Sequence, residues 1–485
     1  MSASLLSLSA VELARLVGQG ELSPVEIIST YLDRITAFNP ALNAIVSVNP
    51  HARAQALELE RRLKKGDDVG PLCGVPFTVK DCIDVSGLRS TRGSKLFANH
   101  VAVKHATAVS RLIKAGAILV GKTNLPEFAL WWETDNLLFG RTSNPWGLDR
   151  IAGGSSGGEA AALAAGFSAI GIGSDLAGSI RMPAHFCGVV GLKPTHGLVP
   201  TTGAWPEMLE RYSHVGPLAR SVEDIAATLM RIAGPDGDDP YALHQPNGEP
   251  IHRAEDVSRL RIGLTEVGGS DPVDHEVVGT VKAAATTLQQ LGYHVESVRI
   301  PALDDNDWNA LSIAVVASEG RLYLGPILKG REDDIHPNLR ARLEANAALS
   351  LTSYLTSLKE IERLRRQTFA TFRKFDAILA PCCPVPAFPH GQAELEIGDR
   401  RVGARHVLRA TVPWNFTGSP ALVLPFGTSR EGMPIGIQLI GRHFEEAILI
   451  SIGLALERAS PRRGLQPSLL GAVGSLDSRQ LPTFP

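Results

Sequence analysis

Two short loops in this sequence carry the residue types that covalent chemistry needs. The first is Gly153-Gly154-Ser155-Ser156-Gly157-Gly158, and the second is Gly173-Ser174-Asp175-Leu176-Ala177-Gly178-Ser179-Ile180-Arg181. A Gly-rich turn opening a helix suits phosphate, but no Gly-Lys-Ser/Thr step follows these loops and no G-x-G-x-x-G fingerprint fits them. Gly154-Ser155-Ser156-Gly157-Gly158 also matches the G-x-S-x-G nucleophile elbow, which requires a strand directly before it. Asn144-Pro145-Trp146-Gly147-Leu148-Asp149-Arg150 stands there instead and does not read as a buried central strand. A third reading makes the loops two halves of one site. Glycine turns can aim several N–H groups at an oxyanion, and a serine in such a turn is a nucleophile when a base reaches it. Plain turns with serine as a helix cap compete with that reading. Chemistry is favoured by a third segment, Gly74-Val75-Pro76-Phe77-Thr78-Val79-Lys80-Asp81, an apolar strand that ends in lysine.

The surrounding elements alternate. Short apolar runs at Val75–Val79, Ala117–Val120, Ala169–Ile172 and Gly188–Leu192 predict strands, and Ala108–Lys114 and Ser221–Ile232 predict helices. Leu260–Leu264, Glu276–Leu291 and His294–Ile300 read as a β-α-β unit. A helical stretch follows over 339–374, then a strand at Ala377–Ala380. Ser9 with Glu12, and Ser23 before Pro24, mark two helix starts near the beginning. The pattern predicts an α/β protein with a helical segment over 1–70 and one domain over 71–458. A Pro- and Gly-rich loop interrupts that domain at 234–257, and a tail covers 459–485.

Composition narrows the classes. The 485 residues hold 48 Lys+Arg against 50 Asp+Glu, so there is no electrostatic footprint for nucleic acid. Hydrophobic residues at 44% and charged residues at 20% belong to a folded protein. Five cysteines (Cys73, Cys82, Cys187, Cys382, Cys383) without a C-x-x-C pair argue against a disulfide framework. The N-terminus lacks the marks of a secretory signal. The weakly polar run Ala160–Gly173 is too short to span a bilayer, which predicts a cytoplasmic protein with no membrane span. No H-E-x-x-H motif or clustered His/Cys spacing suggests a metal, and no cofactor is expected. His185 and Cys187 lie in an apolar entry to a strand, which reads as core and not as a Cys–His pair.

Joined by AGAILVGKTNLPEF (115–128), FGRTSNPW (139–146), VGPLARSVEDIA (215–226) and MPIGIQLIG (433–441), the three segments resemble the amidase signature family along nearly the whole chain. The resemblance implies the α/β amidase signature fold, a central mixed twisted β-sheet covered by helices on both faces. It is nearer to the fatty-acid-amide-hydrolase-like and bacterial amidase branch than to glutamine amidotransferase A subunits. By this resemblance Ser179 is the nucleophile, Ser155 a bridging serine held by a cis peptide after Gly154, and Lys80 the base. A lysine serves as base only when neutral, and burial at the end of an apolar strand would lower its pKa. Ser156 resembles a hydrogen-bonding support. Asp175 and Arg181 resemble a loop-fixing pair, ordinary surface charges being the other reading. The backbone N–H groups of Leu176, Ala177, Gly178 and Ser179 are the implied oxyanion donors. Ala177 stands where many members carry glycine and adds a methyl that narrows the site.

Trp131 and Trp132 occupy the segment that lines the acyl pocket in related enzymes, and Trp414 and Phe416 stand in a later segment that approaches it. Four converging aromatics predict an apolar or aryl amide as the small-molecule substrate, with esters and carbamates open to the same attack. Two other functions remain at this level. One is a glutamine amidotransferase A subunit in a tRNA-modifying complex, the other a catalytically silent binding protein. Dimers are common in the family, so a homodimer is the assembly that the resemblance offers.

Overall fold

Ser9 accepts the Glu12 N–H at 3.1 Å and starts the helix Ala10–Gly18, and Ser23 caps Pro24–Leu42 in the same way. These capped helices open a computed structural model that describes residues 5–245, 259–265, 272–345 and 349–468. The expected tail beyond 468 and positions 246–257 of the expected loop lie outside the described residues.

Eleven strands form one sheet. In chain order the first six are β1 (Ile45–Val48), β2 (Pro76–Lys80), β3 (Ile118–Thr123), β4 (Ile170–Asp175), β5 (Val190–Lys193) and β6 (His214–Ala219). They are followed by β7 (Arg261–Leu264), β8 (His294–Ser297), β9 (Ala377–Pro381), β10 (Ala421–Thr428) and β11 (Pro434–Gly441). Their spatial order is β1-β3-β2-β4-β6-β5-β10-β11-β9-β7-β8. β2 runs parallel to both β3 and β4, whereas β5, β6, β10 and β11 pair antiparallel with their neighbours, so the sheet is mixed. Every residue of β2, β3 and β11 is buried. Alternate side chains point to opposite faces of a strand, so helices must cover both faces here. This is the α/β architecture anticipated.

Several elements differ from the sequence reading. β1 lies inside the segment expected to be helical and pairs antiparallel with β3. The stretch 339–374 divides into the helices Pro337–Ala345 and Leu351–Thr371, because Ser350 caps the second by accepting the Ser353 N–H at 3.1 Å. The helix Trp308–Leu328 escapes the sequence pattern because Glu319 and Arg321 interrupt its apolar run. Among the described residues it is the one helix long and apolar enough to cross a membrane by length and composition. Its Ser312, Val315, Val316 and Leu324 are buried in the fold. All five cysteines are buried and unpaired.

Close packing of backbone around β4 sets the stage for the site. A Cβ on Gly158 would lie 2.5 Å from the backbone of Asn124, and one on Gly171 would lie 2.3 Å from Glu159 Oε1. Glycine at both places lets the helix Gly157–Ala164 settle directly on β2 and β4.

Candidate active site

β2 delivers Lys80 to the interior, where the side chain is fully buried. Its Nζ lies 2.7 Å from Ser155 Oγ and 2.9 Å from Ser174 Oγ. The carboxylate of the next residue, Asp81, is engaged elsewhere, with Lys122 Nζ at 3.0 Å and the Thr91 N–H at 3.0 Å. Burial lowers the Lys80 pKa, against the opposing pull of Cys82, Asp175 and Glu159. Glu159 lies behind it, accepting hydrogen bonds from Thr78 and Thr123. Burial raises the Glu159 carboxyl to about 8, so near neutral pH it is mostly protonated and adds little negative charge beside Lys80.

The first glycine-serine loop sits over Lys80. The Gly154–Ser155 peptide is cis, and Gly153 takes a φ of 84°, in the left-handed region open to glycine. A Cβ on Gly154 would fall 2.8 Å from Trp131 O, so the loop is held tightly against the paired tryptophans. No buried sheet strand enters this loop. Gly147–Ile151 pairs with Ser143–Asn144 in a separate two-stranded ribbon and bridges Pro389 at Arg150, outside the main sheet, which removes the nucleophile-elbow geometry.

The second loop leaves β4. Asp175 and Arg181 are both fully buried and paired two-pronged, with Nε to Oδ2 and Nη2 to Oδ1 each at 3.0 Å. They are therefore not surface charges. Burial alone would raise the Asp175 carboxyl, but Arg181 and Asn415 hold it well below the usual carboxylate range. Arg181 also donates to Thr411 O at 2.9 Å and to Gln438 Oε1 at 3.0 Å, which ties the loop to the β11 side of the sheet.

One expectation fails here. Gly178 gives its N–H to Asp175 Oδ1 at 2.8 Å, so that group is not available as an oxyanion donor. Ile180 N–H goes to the other carboxylate oxygen at 3.0 Å. The remaining candidates are the amides of Leu176, Ala177 and Ser179. The two loops are joined by the Ser156 N–H, which donates to Ser179 O at 3.1 Å, while Ser156 Oγ donates to Ser174 O at 3.3 Å. Among the described residues no hydrogen bond joins the Ser155 and Ser179 hydroxyls. In substrate-free sites such contacts are commonly long.

Ser179 opens into a narrow cavity of about 40 Å³. Trp131 and Trp132 stack at 3.7 Å between ring centroids, and both line it together with Leu176, Leu408 and Phe416. Trp414 does not. It is fully buried outside the cavity, because residues two apart on the helix Val412–Thr417 point about 200° apart. Arg342 and Arg405 also line the cavity, and neither was anticipated. His185 bonds to the backbone of Gly436 and Val385, and Cys187 to Ala152 O, so neither faces Ser179. Among the described residues no His, Cys, Asp and Glu cluster could hold a metal.

Ser174 and Glu159 were missed because the parallel pairing of β2 with β4 brings the first to Lys80 and the packing of the helix Gly157–Ala164 on those strands brings the second, and neither leaves a local pattern. Arg405 comes from the short 3-10 helix Ala404–Leu408, far along the chain, and had no motif to mark it.

Comparison with known proteins places this arrangement in context. The family model described as Amidase matches residues 26–450. The A subunit of the glutamyl-tRNA(Gln) amidotransferase of Thermosynechococcus vestitus is 35% identical over 484 residues, covering 94% of this chain and 99% of that protein. A solved bacterial aryl acylamidase of the amidase signature family superposes with a TM-score of 0.87 at 29% identity, covering 97% and 99% of the two chains. A 6-aminohexanoate cyclic dimer hydrolase complexed with substrate superposes with a TM-score of 0.85 at 29% identity, covering 96% and 99%.

Proposed function

The chain belongs to the amidase signature family of hydrolases acting on carbon–nitrogen bonds, and from that premise we propose that it cleaves small amides through an acyl-enzyme on Ser179. The observation that carries the proposal is the buried Lys80 amine 2.7 Å from Ser155 Oγ, with hydroxyls and no carboxylate as its hydrogen-bond partners. In its neutral form Lys80 takes the Ser155 proton while Ser155 takes the Ser179 proton, and Ser179 Oγ attacks the amide carbonyl. The amides of Leu176, Ala177 and Ser179 receive the developing oxyanion. The proton returns through Ser155 to the leaving amine, and water then releases the acid from Ser179.

The Trp131–Trp132 stack and the small cavity support a short apolar or single-ring acyl group. Esters and carbamates present the same carbonyl. The second reading is the A subunit of an amidotransferase, and by relatedness it has the better support, since the curated relatives bear that name. Against it stands the cavity lining. Glutamine carries an ammonium group, and among the described residues no carboxylate lines the cavity to receive it. The deciding assay is the purified single chain, wild type and Ser179→Ala, on anilides, short aliphatic amides, esters, carbamates and glutamine. Turnover of anilides or aliphatic amides by the wild type alone supports the first reading. Glutamine turnover only when a partner complex is supplied supports the second.

A further inference from the structure

We propose that His214 and Asn415 are positioning residues for the oxyanion site, holding the carbonyl of Asp175 and thereby aiming the Leu176 N–H at the carbonyl under attack. The inference rests on the Ser179 hydrolase reading. Asp175 ends β4, and β6 brings His214 opposite it in antiparallel register. His214 Nδ1 lies 3.2 Å from Asp175 O. Asn415, on the helix Val412–Thr417, donates through Nδ2 to the same oxygen at 2.9 Å. Its second amide hydrogen goes to Asp175 Oδ1 at 2.8 Å, and its own Oδ1 accepts from Arg181 Nη2 at 2.6 Å. Arg181 therefore fixes which way the Asn415 amide faces. A carbonyl oxygen only accepts, so the His214 ring carries its proton on Nδ1. Burial, reinforced by Lys193 and His196, holds the His214 pKa well below the usual histidine value and keeps the ring neutral. Its Nε2 is shielded from solvent and meets no hydrogen-bond partner.

A trans peptide points its C=O and its N–H in opposite directions across one plane. Among the described residues, cis bonds occur only at Gly154–Ser155 and Trp205–Pro206, so the Asp175–Leu176 peptide is trans. His214 and Asn415 are buried and stand outside the Ser179 cavity, whereas Leu176 lines it. Holding Asp175 O from behind turns the Leu176 N–H toward the cavity, and that N–H makes no hydrogen bond among the described residues. Two donors on the carbonyl also polarise the peptide, since linked hydrogen bonds strengthen one another. A donor fixed in advance favours charge that develops only during attack, because nothing has to reorganise at that moment. Asp175 thus acts on the loop twice. Its carboxylate takes the N–H groups of Gly178 and Ile180, and its carbonyl orients that of Leu176.

The test separates the two ring nitrogens. His214→Asn sets an amide nitrogen near the place of Nδ1, His214→Gln sets one near that of Nε2, and His214→Phe keeps a ring with neither. Phenylboronic acid is the probe. Its boron gains a bond to Ser179 Oγ and keeps both hydroxyls, while the serine proton passes through Ser155 to Lys80, so a negative tetrahedral centre meets the oxyanion donors. Benzyl alcohol offers the same ring without a centre to attack. In the Phe and Gln variants the boronate should bind about tenfold to a hundredfold more weakly, short of the loss from deleting an oxyanion donor outright. The kcat for an anilide should fall by the same factor, with KM and the affinity for benzyl alcohol unchanged. His214→Asn should recover most of the boronate affinity. Should the Phe variant not fold, Asn against Gln decides alone. Equal boronate affinity in the folded variants and wild type overturns the proposal, and so does a parallel loss for both ligands, which marks a distorted pocket. A wild type that gives no tetrahedral boron signal by NMR overturns the Ser179 reading on which this one rests.

Discussion

The carboxylate of Asp175 accepts the Gly178 N–H at 2.8 Å, so the residue just before the proposed nucleophile is anchored to the end of a central strand. Asp175 is in turn clamped by Arg181 inside the fold. Removing one member of a buried pair strands the other charge, at a cost of about 3–5 kcal/mol. Asp175→Ala should lower the thermal midpoint and abolish turnover together. A variant that kept its midpoint while losing activity would give Asp175 a part in the chemistry beyond holding the loop.

Lys80→Met keeps the length of the side chain and removes the amine. Activity should fall about 10²- to 10⁴-fold, the range of a general base. In the wild type, only the neutral amine serves, so kcat/KM should rise with pH through a midpoint below the ordinary lysine value, as burial dictates. A profile flat from pH 6 to 10 would remove Lys80 from the role of base.

Glu159→Gln offers a separate reading of the same interior. The wild-type carboxyl titrates near 8 in the fold against about 4.5 in the unfolded chain. A raised carboxyl binds more protons folded than unfolded, so its contribution is full below about 4.5 and is lost as pH climbs through about 8. The midpoint of wild type relative to Glu159→Gln should therefore decline between pH 5 and pH 8. Parallel curves for the two proteins would show that Glu159 is ionised throughout.

Two tryptophans separate specificity from stability. Trp132→Ala should depress kcat/KM for anilides more than for short aliphatic amides, because Trp132 lines the cavity. Trp414→Ala should leave that ratio in place and destabilise the fold by about 3–5 kcal/mol, the cost of emptying a large core position. Steady-state assays on both substrates, beside urea denaturation, distinguish the two effects.

Legibility followed distance along the chain. The alternation of strands and helices, the helix starts at Ser9 and Ser23, and the apolar strand ending in Lys80 are local patterns and were readable. The family resemblance carried the rest of the fold. What escaped depends on pairing between remote segments. Ser174 reaches Lys80 through strand register, 94 residues along the chain. A local contact escaped as well, since the N–H of Gly178 goes to a carboxylate only three residues earlier and a turn of this kind has no residue spacing to announce it. Trp414 and Phe416 are nearly adjacent in sequence, yet only helical geometry decides which of them meets the cavity. Arg405 was invisible because a lone arginine in a helix of one turn has no spacing to betray it.

Gly158 and Gly171 have no room for even a methyl group, and this has a consequence for saturation mutagenesis. A library scored for surviving activity should rank both positions as unforgiving as Ser179, although neither touches a substrate. Intolerance in this region will mark where a helix presses on the sheet as often as where bonds are broken. Separating the two requires measuring how much folded protein each variant leaves.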